Sequence, residues 1–172
     1  TGSIDLNTEN EISNFLLSDN ILNLASRYLN TSKISISASY FISFPSLTTQ
    51  NEKIMNAQYF HWDNDFTKFF KLYLYTSNVD NNSGPHVFVP YTHKKKLYKH
   101  QLQRSYKDSD IVNSYSNIKK FIGDPGTFFF VDSYGLHKGD VPRNNYRIIL
   151  NVHYGKGKIL YSKYDKFIIL KS

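Results

Sequence analysis

The chain has 172 residues, of which 21 are Lys or Arg and 14 are Asp or Glu, so its formal net charge is +7. This length fits one domain that is large enough to bury a core. No apolar run approaches the roughly 20 residues of a membrane-spanning helix, and the absence of cysteine excludes disulfides and thiolate metal sites. We therefore expect a single domain over residues 1–172 that works in a reducing, cytoplasmic compartment.

The first part of the chain is predicted to contain a helical segment followed by a strand. Apolar residues between positions 7 and 29 follow a mostly helical spacing, which is interrupted near positions 18–20. This spacing predicts an N-terminal helical segment over about residues 7–30, as two short helices or one kinked helix. Residues 34–44 then alternate apolar side chains with serines, an alternation that is typical of a strand.

Short strand-like runs make up most of the chain after residue 54, with turn signals at residues 81–84, 124–126 and 143–145. Many short strands with few helices between them favour packed antiparallel sheets over βαβ units. We predict a mainly β fold with an N-terminal helix. The predicted architecture is a double-stranded β-helix, a cupin-like jelly roll, with its core over about residues 32–170.

Residues 94–118 are an exception, because they lack strand signals and concentrate positive charge. Six basic residues precede the first acid of this segment, Asp108: Lys94, Lys95, Lys96, Lys99, Arg104 and Lys107. Such a segment is either a solvated basic face or a surface that meets an anionic substrate group, such as a phosphate or a carboxylate.

A His-x-Asp pair and a later histidine form the candidate catalytic site. His61 and Asp63 close a strand-like run at residues 57–63, and the period of two of a strand puts both on one face. His137 follows a second apolar run at residues 126–132. Two imidazoles and one carboxylate leave three positions of an octahedral iron(II) open, which is the facial triad of non-haem iron oxygenases. We predict that these three residues are metal ligands.

An arginine lies in the next strand-like run, residues 146–152. This residue, Arg147, comes ten positions after His137. A charged side chain in such an apolar run needs a partner if it points inward. Because the arginine fork suits a carboxylate, a keto acid such as 2-oxoglutarate could chelate the metal while its far carboxylate binds Arg147.

The stretch between the two ligand regions makes this pattern more specific. A strand-like run at residues 69–80 leads into a turn at residues 81–85, and residues 86–94 then read His-Val-Phe-Val-Pro-Tyr-Thr-His-Lys. Over about residues 58–154 this order resembles the phytanoyl-CoA hydroxylase-like branch (phytanoyl-CoA dioxygenase family) of the iron(II)/2-oxoglutarate oxygenases. In that branch a strand, an Asn/Asp-Gly hairpin and a Val-x-Pro-Gly-Ser/Thr-His segment follow the His-x-Asp strand. Tyr91 departs from the pattern, since the family usually has glycine before Thr-His.

The resemblance implies iron(II) as the metal, with 2-oxoglutarate and O2 as cosubstrates. It implies that Arg147 binds the C5 carboxylate of 2-oxoglutarate, that Tyr73 donates a second hydrogen bond there, and that residues 94–118 cover the mouth of the barrel as a basic lid. Halogenases of this superfamily lack the carboxylate ligand, so Asp63 favours a hydroxylase. The expected substrate is a small or carrier-displayed metabolite, such as a lipid, sugar or amino-acid derivative, with an anionic group as one option.

The remaining histidines compete for the ligand role. His86 and His93 flank a predicted strand, and the resemblance gives His93 a structural hydrogen bond. His100 lies in the basic segment. His153 shares a strand face with Arg147 by the period of two, so it could line the barrel interior. We still prefer His137 as the ligand, because His153 lacks the apolar approach sequence that precedes His137.

Other classes of function are less well supported by these residues. A catalytically silent jelly roll that only binds ligands is disfavoured because the complete ligand set and Arg147 are present. A cupin-like metalloenzyme that does not use 2-oxoglutarate commonly combines three or four histidines with a glutamate, unlike this set. The positive charge and the 13 Phe and 14 Tyr residues raise nucleic acid as a partner. These aromatics lie largely in strand-like runs, where core packing is the default, so we expect a small-molecule partner.

Overall fold

The computed structural model of the protein describes residues 1–45, 57–64, 68–103, 105–156 and 166–170. Its helices are α1 (Glu11–Leu16), α2 (Asp19–Leu29) and α3 (Asp108–Val112), with a 3-10 turn at Tyr98–His100. The Asn10 side chain accepts a hydrogen bond from the backbone N–H of Ser13 and so caps α1, and Ser18 is the N-cap residue that precedes α2. The N-terminal segment therefore forms two short helices, separated at the interruption in the apolar spacing.

The first sheet provides one wall of the barrel. Its hydrogen-bonded order is β1 (Gly2–Ile4), β2 (Lys33–Ser43), β10 (Arg147–Gly155), β4 (Phe69–Tyr75) and β8 (Phe128–Val131), and β11 (Lys166–Ile169) also pairs with β2. All of these pairings are antiparallel. Strands that are adjacent in this sheet are mostly not consecutive in the chain. β10, for example, pairs with β2 and β4, which both come much earlier in the sequence.

The second sheet provides the opposite wall. Its order is β6 (Ser105–Tyr106), β3 (Phe60–His61), β9 (His137–Gly139), β5 (His86–Phe88) and β7 (Lys119–Phe121), again antiparallel. Ring contacts join the two walls: the Tyr73 and His86 ring centroids lie 4.5 Å apart, and those of Phe121 and Phe129 lie 4.2 Å apart. The predicted mainly β, double-stranded β-helix fold is confirmed.

Alternation along the strands separates a helix-facing core from the barrel interior. The apolar face of β2 joins one core cluster with residues of α1, α2, β4 and β10, including Leu16, Ala25, Ile36, Leu72 and Val152. The serine face of β2 points the other way, since Ser37 is the register partner of His153 and Ser39 that of Asn151. The helices thus cover the outside of the first sheet, and polar positions are left for the interior.

The described residues of the segment 94–118, the basic segment, contribute the edge strand β6 to the second sheet and pack on the outer face of this sheet. Tyr106 and Ile111 of this segment form a core cluster with Phe60, Val87 and Leu136, which are the outward-facing residues beside His61, His86 and His137. The family resemblance implied a different position for this segment, over the mouth of the barrel. Packing of Tyr106 and Ile111 in this cluster removes their apolar surface from water.

The turn at Tyr91 keeps the geometry that glycine would give it. Tyr91 has φ of 68°, in the left-handed region, and its side chain is exposed. The hydroxyl of the next residue, Thr92, donates to the Val89 carbonyl and accepts from the Leu136 backbone N–H. These two hydrogen bonds hold the segment in place. They offset the strain of the left-handed backbone at Tyr91, which reduces the stability by roughly 1–2 kcal/mol. No helix in the described ranges is long and apolar enough to cross a membrane.

Candidate metal centre and active site

Two adjacent strands bring the two predicted histidine ligands together. His61 of β3 and His137 of β9 are direct register partners, so their side chains share one face. Their ring centroids lie 4.3 Å apart. Phe60 and Lys138, the sequence neighbours on the opposite face, contact the outer layer. The period of two therefore points both imidazoles into the barrel.

Asp63 completes the cluster from a position just beyond the strand. The strand predicted over residues 57–63 is shorter than expected, since β3 covers only Phe60–His61. The Asp63 backbone N–H donates to the Ser133 carbonyl at 2.8 Å, which fixes this residue without a strand ladder. Its Oδ2 lies 3.5 Å from His137 Nε2 and its Oδ1 lies 3.9 Å from His61 Nε2. One ligand atom from each of the three residues lies within 4.8 Å of the others.

Backbone carbonyls set the tautomer of both histidines. His61 Nδ1 lies 2.9 Å from the Tyr59 carbonyl, and His137 Nδ1 lies 2.9 Å from the Gly135 carbonyl. A carbonyl oxygen can only accept, so each Nδ1 carries the proton and each Nε2 presents its lone pair. Metal-binding histidines commonly have this outer hydrogen bond, which fixes the ring and its basicity. Both rings are therefore prepared to donate Nε2 to a cation.

The charges around Asp63 keep the site in the protonation state that a metal needs. Burial alone would raise the pKa of Asp63, but Lys71, His137 and His61 outweigh it and hold this pKa well below its ordinary value. Burial and the proximity of His61 lower the pKa of His137 to about 3. An ionised carboxylate and a neutral imidazole are the forms that coordinate metals.

Lys71 is not among the residues predicted from the sequence, although it contacts a predicted ligand. Lys71 Nζ lies 2.7 Å from Asp63 Oδ2. Lys71 is in β4 on the same face as Tyr73, inside the apolar run 69–75. The sequence did contain a signal for Lys71, because it is a charged residue within an apolar run and lies two positions before Tyr73. Without the fold, however, its contact with Asp63 eight positions earlier could not be inferred.

Arg147 is buried at the start of β10, and its guanidinium is hydrogen-bonded by residues from both sides of the barrel, one at the end of β2 and one just before β5. It is 7% exposed, its Nη1 donates to the Gly84 carbonyl, and its Nη2 donates to Ser43 Oγ at 3.3 Å. Its Nε has no hydrogen-bond partner, and no carboxylate among the described residues lies within ion-pair distance of it. A buried guanidinium with neutral partners only is costly unless an anion binds it.

Two glycines make room for the Arg147 guanidinium. A Cβ built on Gly139 would lie 2.9 Å from Arg147 Nη2, so only glycine leaves the space that the side chain fills. Gly84 has φ of 74°, and a Cβ there would lie 2.5 Å from the Asp140 carbonyl oxygen. The hairpin turn at residues 81–84 thus needs glycine for its backbone, and the same residue supplies the carbonyl that Arg147 uses.

One cavity of about 440 Å³ contains all the predicted site residues. His61, Asp63, His137, Arg147 and Tyr73 line it. Burial raises the pKa of Tyr73 to about 12, so its hydroxyl stays protonated and can donate a hydrogen bond. The lining also contains residues that the sequence analysis did not assign: Gln58, Lys71, His86 and Asn151.

Unpartnered polar atoms concentrate around this cavity. Four lining side chains have a buried nitrogen or oxygen without a hydrogen-bond partner: Gln58 Oε1, His86 Nε2, Arg147 Nε and Asn151 Oδ1. Buried polar atoms in folded proteins nearly always have partners. A polar ligand in the cavity would satisfy them. This observation, together with the paired Nε2 atoms and the ionised Asp63, fits a divalent metal and a polar organic anion.

The competing histidines lie outside the metal cluster. His86 lines the cavity, but its ring centroid is 5.5 Å from that of His137. His153 faces the interior next to Lys71, its register partner, and packs on Phe69 at 5.0 Å. His100 packs between Tyr106 and Tyr115 in the basic segment. His93 contacts the Phe88 ring, and its Nδ1 has no hydrogen-bond partner, so Thr92 has the structural hydrogen bonds expected of His93.

Several solved structures share this fold. HygX from Streptomyces hygroscopicus with iron bound has a TM-score of 0.65 and 12% identity, covering 90% of this chain and 71% of HygX. HygX with nickel and 2-oxoglutarate bound has a TM-score of 0.64 and 12% identity, covering 90% and 70%. SnoK, a non-haem alpha-ketoglutarate-dependent carbocyclase from nogalamycin biosynthesis, has a TM-score of 0.62 and 12% identity, covering 95% and 73%.

No protein-family model matches the sequence, and no curated protein matches it. The likeness to HygX and SnoK is therefore one of fold. The resemblance to the phytanoyl-CoA hydroxylase-like branch stays a prediction from the motifs.

Proposed function

We propose that this protein is, as a single domain, an iron(II)- and 2-oxoglutarate-dependent dioxygenase. His61, Asp63 and His137 would bind the iron through two Nε2 atoms and one carboxylate. Arg147 would bind the C5 carboxylate of 2-oxoglutarate, and Tyr73 would donate a hydrogen bond from the same wall. Similar folds hold iron in HygX, and nickel with 2-oxoglutarate in a second structure of HygX.

The observation that carries the proposal is the pairing of the metal cluster with an uncompensated arginine. The cluster alone would suit several divalent metals, since two imidazoles and a carboxylate are common ligands. Arg147 adds a buried positive charge without an acidic partner among the described residues, in the same cavity. A ligand that bridges the two must combine a metal-chelating end with an anionic end. 2-Oxoglutarate meets this requirement.

The residues of the chain would have separate tasks in this reaction. When bound, iron(II) and 2-oxoglutarate would supply the oxidation of a substrate C–H bond by O2, with succinate and carbon dioxide as co-products. Asp63 stays ionised and would occupy one ligand position, which favours hydroxylation over halogenation. Arg147 fixes the orientation of the cosubstrate through a fork that a lysine would imitate poorly. The buried walls keep water away from the reacting atoms.

The proposed substrate is a small or carrier-displayed metabolite. The cavity volume of about 440 Å³ lies in the range of small-molecule sites. Phe41, Ile42 and Phe44 contribute apolar surface to its lining, and each is at least 37% exposed. Lys71 is a second cation in the lining, but it is paired with Asp63 and therefore gives an anionic substrate group no separate support. The described residues of the basic segment do not line the cavity, so they give such a group no support either.

Formation of succinate from 2-oxoglutarate tests the proposal without knowledge of the substrate. Iron-loaded wild-type protein should release succinate slowly in air, and the His137→Ala variant should not. Binding of 2-oxoglutarate without any succinate would instead indicate a catalytically silent binding module. Oxidation of a metabolite that proceeds equally without 2-oxoglutarate would indicate a cupin-like metalloenzyme. Screening a metabolite library for faster succinate release would then identify the substrate class.

A further inference from the structure

His86 lines the candidate active site, yet the proposed reaction gives it no task. It is 3% exposed at the start of β5, and its Nε2 is buried without a hydrogen-bond partner. Its ring is held by neighbours on several sides, with centroid distances of 4.5 Å to Tyr73, 5.5 Å to His137 and 5.5 Å to Phe129. A ring this confined cannot turn toward solvent, so its Nε2 must find a partner inside the cavity.

The register of the second sheet places His86 next to the Arg147 guanidinium. His86 and Gly139 are direct partners in the β5–β9 pairing, so a side chain at position 139 would lie beside the His86 side chain. Gly139 has no side chain, and the Arg147 guanidinium occupies that space, with Nη2 2.9 Å from the ideal Cβ position. The guanidinium and the imidazole therefore approach each other across Gly139.

Two unpartnered nitrogen atoms thus lie on neighbouring side chains of one cavity. Arg147 Nε carries a proton that nothing accepts, and His86 Nε2 also lacks a partner. They do not satisfy each other. A carboxylate has two oxygens that together accept about four hydrogen bonds, so a single carboxylate could accept from both nitrogens.

We propose that His86 is a further cosubstrate-binding residue, whose Nε2–H donates to the same carboxylate that Arg147 binds. This inference rests on the proposed function, because it takes that carboxylate to be the C5 group of 2-oxoglutarate. Tyr73, whose ring packs on His86, would complete the donor set around the anion. His86 would select for a ligand that ends in a carboxylate and against one that ends in an amide, because an amide has only one accepting oxygen, whereas a carboxylate can accept from Arg147 and His86 through two.

Two substitutions separate hydrogen bonding from ring packing. His86→Phe keeps an aromatic ring against Tyr73 and His137 but removes Nε2, whereas His86→Gln places an amide nitrogen near the position of Nε2. Calorimetric titration of anaerobic iron-loaded protein with 2-oxoglutarate should show about ten- to a hundredfold weaker binding for His86→Phe, as expected for losing a hydrogen bond to a charged group. His86→Gln should recover most of that loss. Iron stoichiometry should remain that of the wild type in both variants.

A matched control is His100→Phe, which changes another buried histidine, on the outer side of the second sheet. It should bind 2-oxoglutarate as the wild type does. Wild-type affinity in His86→Phe, or equal losses in the Phe and Gln variants, would overturn the role of His86 and leave the proposed function intact. Failure of the iron-loaded wild-type protein to bind 2-oxoglutarate would overturn both.

Nitrogen-15 spectra of the histidine rings test the inference without any substitution. In zinc-loaded wild-type protein, adding 2-oxoglutarate should shift the His86 Nε2 signal and slow the exchange of its proton, while the His100 signals stay unchanged. A His86 Nε2 that carries no proton in the complex would contradict the proposed donor role.

Discussion

Lys71 Nζ contacts Asp63 Oδ2 at 2.7 Å, so a lysine neutralises the carboxylate of the candidate metal centre. Both side chains are largely buried, at 11% and 14% exposure. In the protein without metal, Lys71 is the cation that stabilises the ionised form of Asp63. A metal ion would supply positive charge to the same carboxylate. Lys71 and the metal therefore act on one group, and their contributions should not be additive.

Replacing Lys71 by methionine should destabilise the metal-free protein more than the metal-loaded protein. Removing one partner of a buried ion pair typically costs about 3–5 kcal/mol, and we expect the lower end because both groups keep some exposure. Bound Mn(II) should restore much of the lost free energy of unfolding, because the metal ion supplies positive charge to Asp63 in place of Lys71. Urea unfolding with and without Mn(II) measures both values. Lys138→Met is the control, because Lys138 pairs with Asp108 and Asp140 on the outer side, and its loss should not depend on metal.

Removing His137 should abolish iron binding, whereas removing His153 should not. Both histidines are buried in the interior. Of the two, only His137 belongs to the cluster with His61 and Asp63, and its Nε2 lies 3.5 Å from Asp63 Oδ2. Two remaining ligands would hold a labile ferrous ion poorly. Equilibrium dialysis of His137→Ala and His153→Gln against anaerobic iron(II) compares the two. Full iron stoichiometry in His137→Ala would show that the ligand set is different.

Arg147→Ala should keep iron but lose 2-oxoglutarate affinity by at least about two orders of magnitude. A buried charge pair that loses one partner costs about 3–5 kcal/mol, and about 1.4 kcal/mol corresponds to a tenfold change in affinity. Arg147→Lys should recover only part of the loss, because an ammonium keeps the charge without the fork. Arg143→Ala is the control at a nearby exposed arginine. Near-wild-type affinity in Arg147→Ala would mean that another cation holds the carboxylate.

Gly139→Ala should weaken 2-oxoglutarate binding through Arg147 while the fold and the metal site remain. The added methyl group would meet the guanidinium at 2.9 Å for Nη2 and 3.2 Å for Nη1, so Arg147 must shift. We expect about a tenfold loss in affinity, since a displaced fork loses about one charge-assisted hydrogen bond. In the Arg147→Ala background the same substitution should have little effect. An equal loss in both backgrounds would exclude action through Arg147.

The stability of the metal-free protein should fall as the pH drops below about 6.5. Burial and Lys71 lower the pKa of His153 in the folded protein to about 3, while in the unfolded chain it is near 6.5. Between these values the unfolded chain binds a proton that the folded protein does not, so the free energy of unfolding decreases as the pH falls. One such histidine contributes about 1.4 kcal/mol per pH unit. Between pH 7 and pH 5, urea unfolding should show a smaller decrease in the free energy of unfolding for His153→Gln than for the wild type. Equal decreases in the two proteins would show that His153 is not responsible.

The local patterns in the sequence were sufficient for the fold class and for several strands, and they singled out the proposed site residues, but they did not predict the short strands β1 and β6. Alternation along residues 34–44 identified β2, and the apolar runs before His137 and around Arg147 identified β8 and β10. Period-two alternation fixes which face a side chain takes, so the predicted ligands and Arg147 all line one cavity. A glycine-dependent turn was also visible at Gly84, because only glycine takes its positive φ without strain.

Contacts between distant parts of the chain could only come from the tertiary structure. The Lys71–Asp63 ion pair and the approach of His86 to Arg147 across Gly139 depend on strand order and register between elements that sequence spacing does not relate. The position of the basic segment shows the same limit, since the family resemblance implied a cover over the barrel mouth. Its buried Tyr106 and Ile111 instead join the outer core of the second sheet. Sequence thus determined the fold class and the strand faces on which the predicted ligands lie, and packing decided which neighbours surround them, because burial energy depends on surfaces that meet only after folding.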